Sequence, residues 1–429
     1  MREKMKALLG LIVVISVLFS LSACDSSSST PPADFYELEV EVLEGDGVVE
    51  VSPDKDTYEN GTEVEIKAIP DENFNFVEWR GSIDSSEKEE TVVVDSDMKI
   101  GAIFEVDQDI TGQGTSADPF LIYTADGLSM IGEEDYGYGD YYMLARDIDL
   151  SSFSNWDPIG SLDDIPNNLF SGSLDGNGYA IQSLNIDTDQ ELAGLFLLLI
   201  GEVNDLSFVD ASVRGDERVG ILAGQTEGAV VENVSVTESE VKGQEYVGAI
   251  TGGLNVVDFR YNFATETNVY GGNIIGGLAG TANFGTVIEE SYFDGNLNGE
   301  TRVGGLIGEL NDDDTEDHTI IRNSYAIGNV SGIEFAGGLV GHNYGLVKNS
   351  YSATEFSSNG NNVGGAVASN EGVIDLVYYD MDLAGVEDSE KGIPKSTDEM
   401  MDRDTFYYDW NFDDIWMIED SYPLLQSLE

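Results

Sequence analysis

The stretch Val303-Gly304-Gly305-Leu306-Ile307-Gly308 belongs to a hexapeptide pattern that recurs through the middle of the chain. Close copies are Ile275-Gly276-Gly277-Leu278-Ala279-Gly280 and Ala336-Gly337-Gly338-Leu339-Val340-Gly341. The first glycines of seven copies fall at 194, 220, 248, 276, 304, 337 and 364, in steps of 26, 28, 28, 28, 33 and 27 residues. Self-similarity at a period of this length is typical of solenoids, propellers and other repeat arrays.

Each repeat carries a second landmark before the next hexapeptide, such as Ile321-Arg322-Asn323-Ser324-Tyr325 or Val347-Lys348-Asn349-Ser350-Tyr351. These runs alternate apolar and polar residues, which indicates strands. The glycine-rich element also reads as a strand, in which glycine lets a neighbouring backbone come close. Short strands and turns fill such a repeat and leave no room for a helix. The sequence therefore predicts an all-β fold with a parallel β-helix, right-handed because parallel crossovers prefer that hand.

Stacked coils would bring equivalent side chains of neighbouring repeats to within about 4.8 Å of one another. We expect Asn323 and Asn349 to form an amide ladder in this way. We interpret the matching tyrosines as an internal stack rather than a sugar-binding platform. These tyrosines are Tyr292, Tyr325, Tyr351 and Tyr378.

The repeats resemble the GLUG motif of bacterial surface and secreted proteins over about residues 190–380. The preceding stretch resembles the usual leader of such arrays, as in Phe170-Ser171-Gly172-Ser173-Leu174-Asp175-Gly176-Asn177-Gly178. The resemblance implies a fold similar to the pectate-lyase and haemagglutinin β-helices, and no common activity. We accordingly assign 107–189 to an N-terminal cap with the first coils and 190–384 to the GLUG-repeat β-helix.

The last segment, residues 385–429, loses the repeat and is predicted to cap the open end of the solenoid. Ser396-Thr397-Asp398-Glu399 has the spacing of a capping box and predicts a short helix to about Phe406. The aromatic residues that follow are expected to form a core.

The N-terminus has the pattern of an export signal, with a basic start at Arg2, Lys4 and Lys6 and an apolar run over residues 7–21. Leu21-Ser22-Ala23-Cys24 resembles a lipobox, which implies a signal peptide over 1–24 and lipidation of Cys24. Residues 25–35 are polar and rich in serine and predict a flexible tether. Cys24 is the only cysteine, so an intramolecular disulfide is excluded.

Residues 36–106 form a separate small β module in this interpretation. Leu38-Glu39-Val40-Glu41-Val42 and Thr62-Glu63-Val64-Glu65-Ile66 alternate as half-buried strands do, and Asn60-Gly61 marks a turn. The module resembles the divergent InlB B-repeat, which implies a compact spacer or contact domain of surface proteins. We expect Trp79 to be a core residue.

Acidic residues dominate the composition, with 82 Asp and Glu against 19 Lys and Arg and a net charge of −63. Self-repulsion at this charge destabilises a compact chain unless salt screens it, and molar salt shortens the Debye length to about 3 Å. We therefore expect a protein of a halophilic bacterium. Nucleic acid is excluded as an electrostatic partner.

One repeat is longer than the others because it carries an acidic insertion. Oxygen-rich clusters suit calcium, although the spacing here does not match an EF-hand loop. We therefore predict a calcium site there, and we expect no other cofactor. Its residues are Asp312, Asp313, Asp314 and Asp317.

No catalytic residues are assigned. The two histidines, His318 and His342, stand outside any His-Glu-x-x-His or nucleophile-elbow context. A β-helix polysaccharide lyase or hydrolase needs only clustered carboxylates and perhaps one cation, so this alternative stays open. The candidate cations, interpreted mainly as charge-balancing residues, are Arg214, Arg218, Arg260, Arg302 and Arg322.

The predicted layout is a lipid anchor, a tether, a β spacer and a long solenoid. This layout favours a non-catalytic, membrane-anchored, extracytoplasmic protein that binds an extracellular glycan or a surface protein. A structural spacer of the cell envelope is the third alternative.

Overall fold

The computed structural model describes residues 34–163, 165, 167–312, 318–357, 362–406, 410–419 and 421–428. Cys24 and the export signal lie outside these residues. The described chain divides into two compact units, one up to Glu105 and one from Val106 onwards.

The first unit is a small β module of eight strands. Its three-stranded antiparallel sheet and its second three-stranded sheet enclose a core in which Trp79 is fully buried and donates from Nε1 to the Glu87 carbonyl at 2.9 Å. Both strands expected from the alternating pattern are present. The strands are Phe35–Tyr36, Leu38–Glu44, Gly47–Ser52, Tyr58–Glu59, Thr62–Pro70, Phe74–Gly81, Glu89–Val94 and Met98–Val106.

The second unit is a parallel β-solenoid of about 8 turns, which confirms the predicted fold class. Its largest ladder, the wide sheet, runs along the whole solenoid. The wide sheet contains Ile110–Thr111, Phe120–Ile122, Tyr141–Leu144, Ile148–Asp149, Ser173–Asp175, Ala180–Gln182, Asn185–Asp187, Glu202–Val209, Ser212–Arg214, Val230–Thr237, Glu240–Lys242, Asp258–Arg260, Phe263–Tyr270, Val287–Glu289, Tyr292–Asn298, Ile320–Arg322, Tyr325–Ser331, Leu346–Phe356, Val373–Asp380 and Ile393–Lys395.

The hexapeptides form two further ladders on the other side of each coil. The glycine sheet contains Phe196–Leu199, Ala223–Glu227, Thr251–Asn255, Ala279–Asn283, Ile307–Leu310, Val340–Asn343 and Val367–Asn370. The short strands contain Leu192–Ala193, Arg218–Val219, Ile275–Gly276, Arg302–Gly304, Phe335–Gly337 and Asn362–Gly364.

The first glycine of the hexapeptide is fixed by a tight turn between the short strand and the glycine sheet. A Cβ atom on Gly304 would lie 2.0 Å from the carbonyl oxygen of Ile307, and one on Gly276 would lie 1.9 Å from that of Ala279. Gly337 and Gly364 show the same approach to the residue three positions on. Any side chain here would collide with backbone, so the repeat retains glycine.

The wide sheet bends where one residue per coil has a positive φ, as at Asn323 (φ 50°) and Asn349 (φ 48°). The hydroxyl of the serine that follows makes hydrogen bonds to backbone groups at this bend. Ser324 Oγ accepts from the Ser291 amide at 3.2 Å and donates to the Arg322 carbonyl at 2.9 Å. In the same way, Ser350 Oγ accepts from the Ser324 amide and donates to the Lys348 carbonyl. The serine of the Asn-Ser-Tyr signature thus satisfies backbone hydrogen-bonding groups at the bend.

The first three tyrosines of this signature stack as expected, whereas Tyr378, in register with Tyr351, meets the Phe406 and Trp410 rings edge-on. Ring centroids are 5.0 Å apart for Phe263 and Tyr292, 4.7 Å for Tyr292 and Tyr325, and 5.0 Å for Tyr325 and Tyr351. Tyr351 is fully buried, and burial raises its pKa. Tyr325 is buried as well, whereas Phe263 and Tyr292 are half-buried, so the stack is internal at its C-terminal end.

The C-terminal segment covers this stack. Ile393–Lys395 extends the wide sheet past the last coil, whereas the residues after Ser396 turn back along the side of the solenoid. The Tyr351 hydroxyl donates to the Pro423 carbonyl at 2.7 Å, and the Tyr422 hydroxyl donates to the buried Asp380 carboxylate at 2.6 Å. The segment thus packs on the flank as well as at the end.

The helices of the second unit are all short. The capping box of Ser396 and Glu399 is present, but its α-helix ends at Met400 and a separate 3-10 turn follows, so the predicted helix to Phe406 is wrong. The α-helices are Ala125–Ser129, Met381–Ala384 and Thr397–Met400, the 3-10 turns are Ser389–Lys391, Arg403–Thr405 and Gln426–Leu428, and Trp416–Met417 pairs with Leu424–Leu425.

Because backbone atoms lie so close to Gly304, even the methyl group of alanine should destabilise the fold at this position. We expect Gly304→Ala to lower the free energy of unfolding by about 1–3 kcal/mol, the usual cost of overpacking. Gly139→Ala is the control, because its nearest neighbour would be Ser171 Oγ at 3.6 Å. Urea unfolding in molar KCl, followed by circular dichroism, measures both. Equal midpoints for the two variants would contradict the account of the turn.

Candidate functional site

The glycine sheet aligns polar side chains from successive coils. Thr281, Glu309 and His342 are paired in register on neighbouring strands. Two residues further along each strand, Asn255 and Asn283 pair in register. The backbone N–H groups of Asn311, Tyr344 and Glu371 donate to carbonyl groups of the preceding coil, so these three residues continue the second column. We call these residues the amide–aromatic strip: Asn255, Thr281, Asn283, Glu309, Asn311, His342, Tyr344 and Glu371.

The asparagines of the strip form a hydrogen-bonded amide ladder. Asn283 Nδ2 donates to Asn255 Oδ1 at 2.8 Å, and Asn311 Nδ2 donates to Asn283 Oδ1 at 2.8 Å. Thr281 Oγ1 also donates to Asn283 Oδ1 at 3.1 Å. An amide has two N–H donors and two acceptor lone pairs, and Asn283 uses all four within the protein. A ligand would therefore bond to the ends of the ladder, at Nδ2 of Asn255 and Oδ1 of Asn311.

Aromatic rings continue the strip beyond Asn311. The His342 ring stacks on Tyr344 with centroids 4.5 Å apart and lies 6.1 Å from the Phe335 ring of the adjacent short strand. His342 is buried, whereas 38% of Tyr344 is exposed. His342 Nε2 lies 3.3 Å from Glu371 Oε1. A supported aromatic face thus adjoins the amide ladder.

Charge at the strip is balanced locally. Arg302 forms an ion pair with Glu309 at 2.7 Å, and Glu309 is mostly buried. Burial raises the pKa of Tyr344, and the carboxylates of Glu371 and Glu309 raise it further, so the phenol is neutral at pH 7. Arg302 and Phe335 also line a cavity of about 240 Å³ beside the strip.

The candidate arginines are all in ion pairs. Arg214 pairs with Asp187 and Asp189 on the surface, and Arg218 pairs with Glu217 and lies over the Tyr246 ring. Arg322 Nη2 donates to Glu289 Oε2 at 2.6 Å, and Arg260 lies 3.8 Å from the same carboxylate. Only Arg302 among them contacts the amide–aromatic strip.

Of the predicted calcium residues, the structure describes Asp312. Asp312 Oδ2 contacts His318 Nδ1 at 2.7 Å, and Asp313, Asp314 and Asp317 lie outside the described residues. Across the described ranges, no group of three or more His, Cys, Asp and Glu side chains could hold a metal ion.

Sequence reasoning missed the strip, although a signal for it exists. Asn255, Asn283 and Asn311 each follow the last glycine of their hexapeptide by three residues, and Tyr344 takes the same place in the next copy. Extending the repeat alignment by three positions would have shown an amide column that ends in an aromatic residue. Asn323 and Asn349, for which an amide ladder is expected, have positive φ and lie at the bends of two neighbouring coils.

Comparison with known proteins identifies the first unit. The divergent InlB B-repeat family matches residues 38–108. This segment is a divergent InlB B-repeat domain. The resemblance inferred from its strand pattern is therefore confirmed for that part of the chain.

Two relatives share part of this sequence. Halomucin of Haloquadratum walsbyi is 34% identical over 122 residues, 27% of this chain. The "Putative Gly-rich membrane protein" of Evansella cellulosilytica is 42% identical over 87 residues, 18% of this chain. The matches span 1% and 10% of those relatives.

A solved structure has a similar fold. It is described as a "putative immunoglobulin A1 protease" from Bacteroides ovatus, with 21% identity and a TM-score of 0.53 over 74% of this chain and 95% of its own. Identity this low supports the β-solenoid fold alone. Along the described part of the chain, no helix has the length and apolarity to cross a membrane.

The Arg302–Glu309 ion pair should contribute more to the free energy of unfolding than an exposed ion pair does. We expect Arg302→Gln to destabilise the protein by about 1–3 kcal/mol, because it leaves a mostly buried carboxylate without its cation. Arg214→Gln removes an exposed pair and should cost less than about 1 kcal/mol. Urea unfolding in molar KCl measures both changes.

A double variant separates pairing from other effects of Arg302. Glu309→Gln added to Arg302→Gln removes the orphaned charge and should recover part of the lost stability. An Arg302→Gln variant as stable as Arg214→Gln would contradict the assigned role of the pair.

Proposed function

We propose that this protein is a membrane-anchored extracytoplasmic lipoprotein whose GLUG-like repeat solenoid binds a glycan at the amide–aromatic strip without cleaving it. The observation that carries the proposal is the amide ladder of Asn255, Asn283 and Asn311, which leads into the exposed Tyr344 ring. Sugars offer paired hydroxyls to such amides and a C–H face to an aromatic ring. The InlB B-repeat domain serves as the spacer between anchor and solenoid.

The named relatives support the surface location. One is a membrane protein by name and the other is Halomucin of Haloquadratum walsbyi. The net charge of −63 supports a high-salt environment for this chain as well. Binding is therefore measured in molar KCl.

A polysaccharide lyase or hydrolase is the second candidate. It is favoured by one observation, that the His342 ring contacts Glu371 and is in register with Glu309 on the neighbouring coil. Incubating the bound glycan with the protein and following its chain length tests this alternative. Shortened chains would replace the non-catalytic proposal.

Tyr344 tests the binding proposal. The full-length protein in detergent is screened against glycans in molar KCl, with and without calcium, and the affinity of each hit is measured by calorimetry. We expect Tyr344→Ala to weaken binding at least tenfold, about 1.4 kcal/mol. Tyr141→Ala is the matched control, since its side chain is 42% exposed and outside the strip.

The outcomes separate the alternatives. Equal affinity of the Tyr344→Ala and Tyr141→Ala variants would show that the strip is not the site. A folded wild-type protein that binds no glycan would leave the structural spacer or a protein partner. Dependence of binding on calcium would support the predicted acidic site at Asp312, Asp313, Asp314 and Asp317.

Cys24 tests the anchor. An acyl chain contributes about 0.8 kcal/mol per buried CH₂, so the lipidated protein should partition into the membrane fraction. We expect Cys24→Ser to move the protein to the soluble fraction and to remove the lipid mass from the mature N-terminus. Ser27→Ala is the control, and equal partitioning of the two variants would contradict lipidation.

A further inference from the structure

The corner that follows each glycine-sheet strand has an unusual backbone in three successive coils. Gly228, Val256 and Phe284 have φ values of 61°, 55° and 53°. Gly228 N donates to the Asn255 carbonyl at 2.9 Å, and Val256 N donates to the Asn283 carbonyl at 3.3 Å, so the three positions are equivalent. Glycine adopts this conformation freely, whereas a β-branched or bulky residue is a true outlier there.

The strain at Val256 and Phe284 is not offset by burial. Val256 is 58% exposed and Phe284 is 52% exposed. An apolar side chain gains stability in a fold when it leaves water, and these two remain more than half exposed. Glycine at the first of the three positions shows that the coil itself needs no side chain here.

The two side chains stand beside the amide–aromatic strip. Val256 follows Asn255 and Phe284 follows Asn283 in the chain, on coils about 4.8 Å apart. Apolar surface and amide groups therefore form two adjacent columns along one edge of the solenoid. A ligand that fits this edge has C–H faces and hydroxyl groups side by side.

We propose that Val256 and Phe284 are the apolar contact of the strip and that its ligand is a neutral glycan. This inference rests on the proposed function and adds the chemical class of the sugar. Glu227 is in register with Asn255 on the preceding coil, and Asp258 lies close to Val256 in the chain. An anionic sugar would therefore meet like charge.

Other occupants fit the edge less well. An anionic lipid surface would meet the like charge of Glu227 and Asp258 at this edge. A stable protein partner would need about 800 Å² of complementary surface, far more than two isolated side chains provide.

The test replaces both residues with glycine. The Val256→Gly and Phe284→Gly double variant of the full-length protein should bind neutral glycans at least tenfold more weakly. Its thermal unfolding midpoint should stay equal or rise, because glycine relieves the left-handed backbone. Glu266→Gly is the matched control, exposed and with a φ of 49° at another corner, and should leave affinity unchanged.

The probes are soluble β-glucan and mannan as neutral chains and polygalacturonate as the anionic chain, all in molar KCl. Unchanged affinity of the double variant, while Tyr344→Ala still weakens binding, would overturn the inference and leave the proposed function standing. Preference for polygalacturonate would overturn the neutral assignment. A lowered unfolding midpoint would overturn the account of strain, and loss of wild-type binding to every glycan would overturn both proposals.

Discussion

The structure depends on the close approach of backbone at the glycine turn of each coil. At Gly276, Gly304, Gly337 and Gly364 the space beside the α-carbon is filled by a carbonyl oxygen of the same turn. This approach lets the short strand and the glycine sheet form one tight edge, so that residues such as Leu278, Leu306 and Leu339 are fully buried. Because the turn recurs in these four coils, it also sets the register in which their outward side chains line up.

Because successive coils stack in register, equivalent residues form columns along the solenoid. Different columns have different structural roles. The serines after the bend satisfy backbone groups, and the tyrosines beside them form a covered stack. Along the glycine sheet, the same repetition produces an amide ladder at the surface. The amide–aromatic strip thus arises from the same geometry that builds the core.

Much of the fold could be predicted from the sequence because it is repetitive. The spacing of Gly220, Gly248, Gly276 and Gly304 and the Asn-Ser-Tyr signature indicated stacked coils, and the strand pattern around Trp79 indicated the B-repeat domain. The role of Asn323 as a bend was hidden, since its positive φ follows from the path of the coil. The strip was hidden because Glu309, His342 and Glu371 come from three coils and meet only through register.

The most direct test of the central claim is hydrogen–deuterium exchange of the full-length protein in molar KCl, with and without a saturating neutral glycan. The account predicts that protection concentrates in Thr251–Asn255, Ala279–Asn283, Ile307–Leu310 and Val340–Asn343 of the glycine sheet. Protection confined to the wide sheet or to residues 38–108, with no change in the glycine sheet, would contradict it.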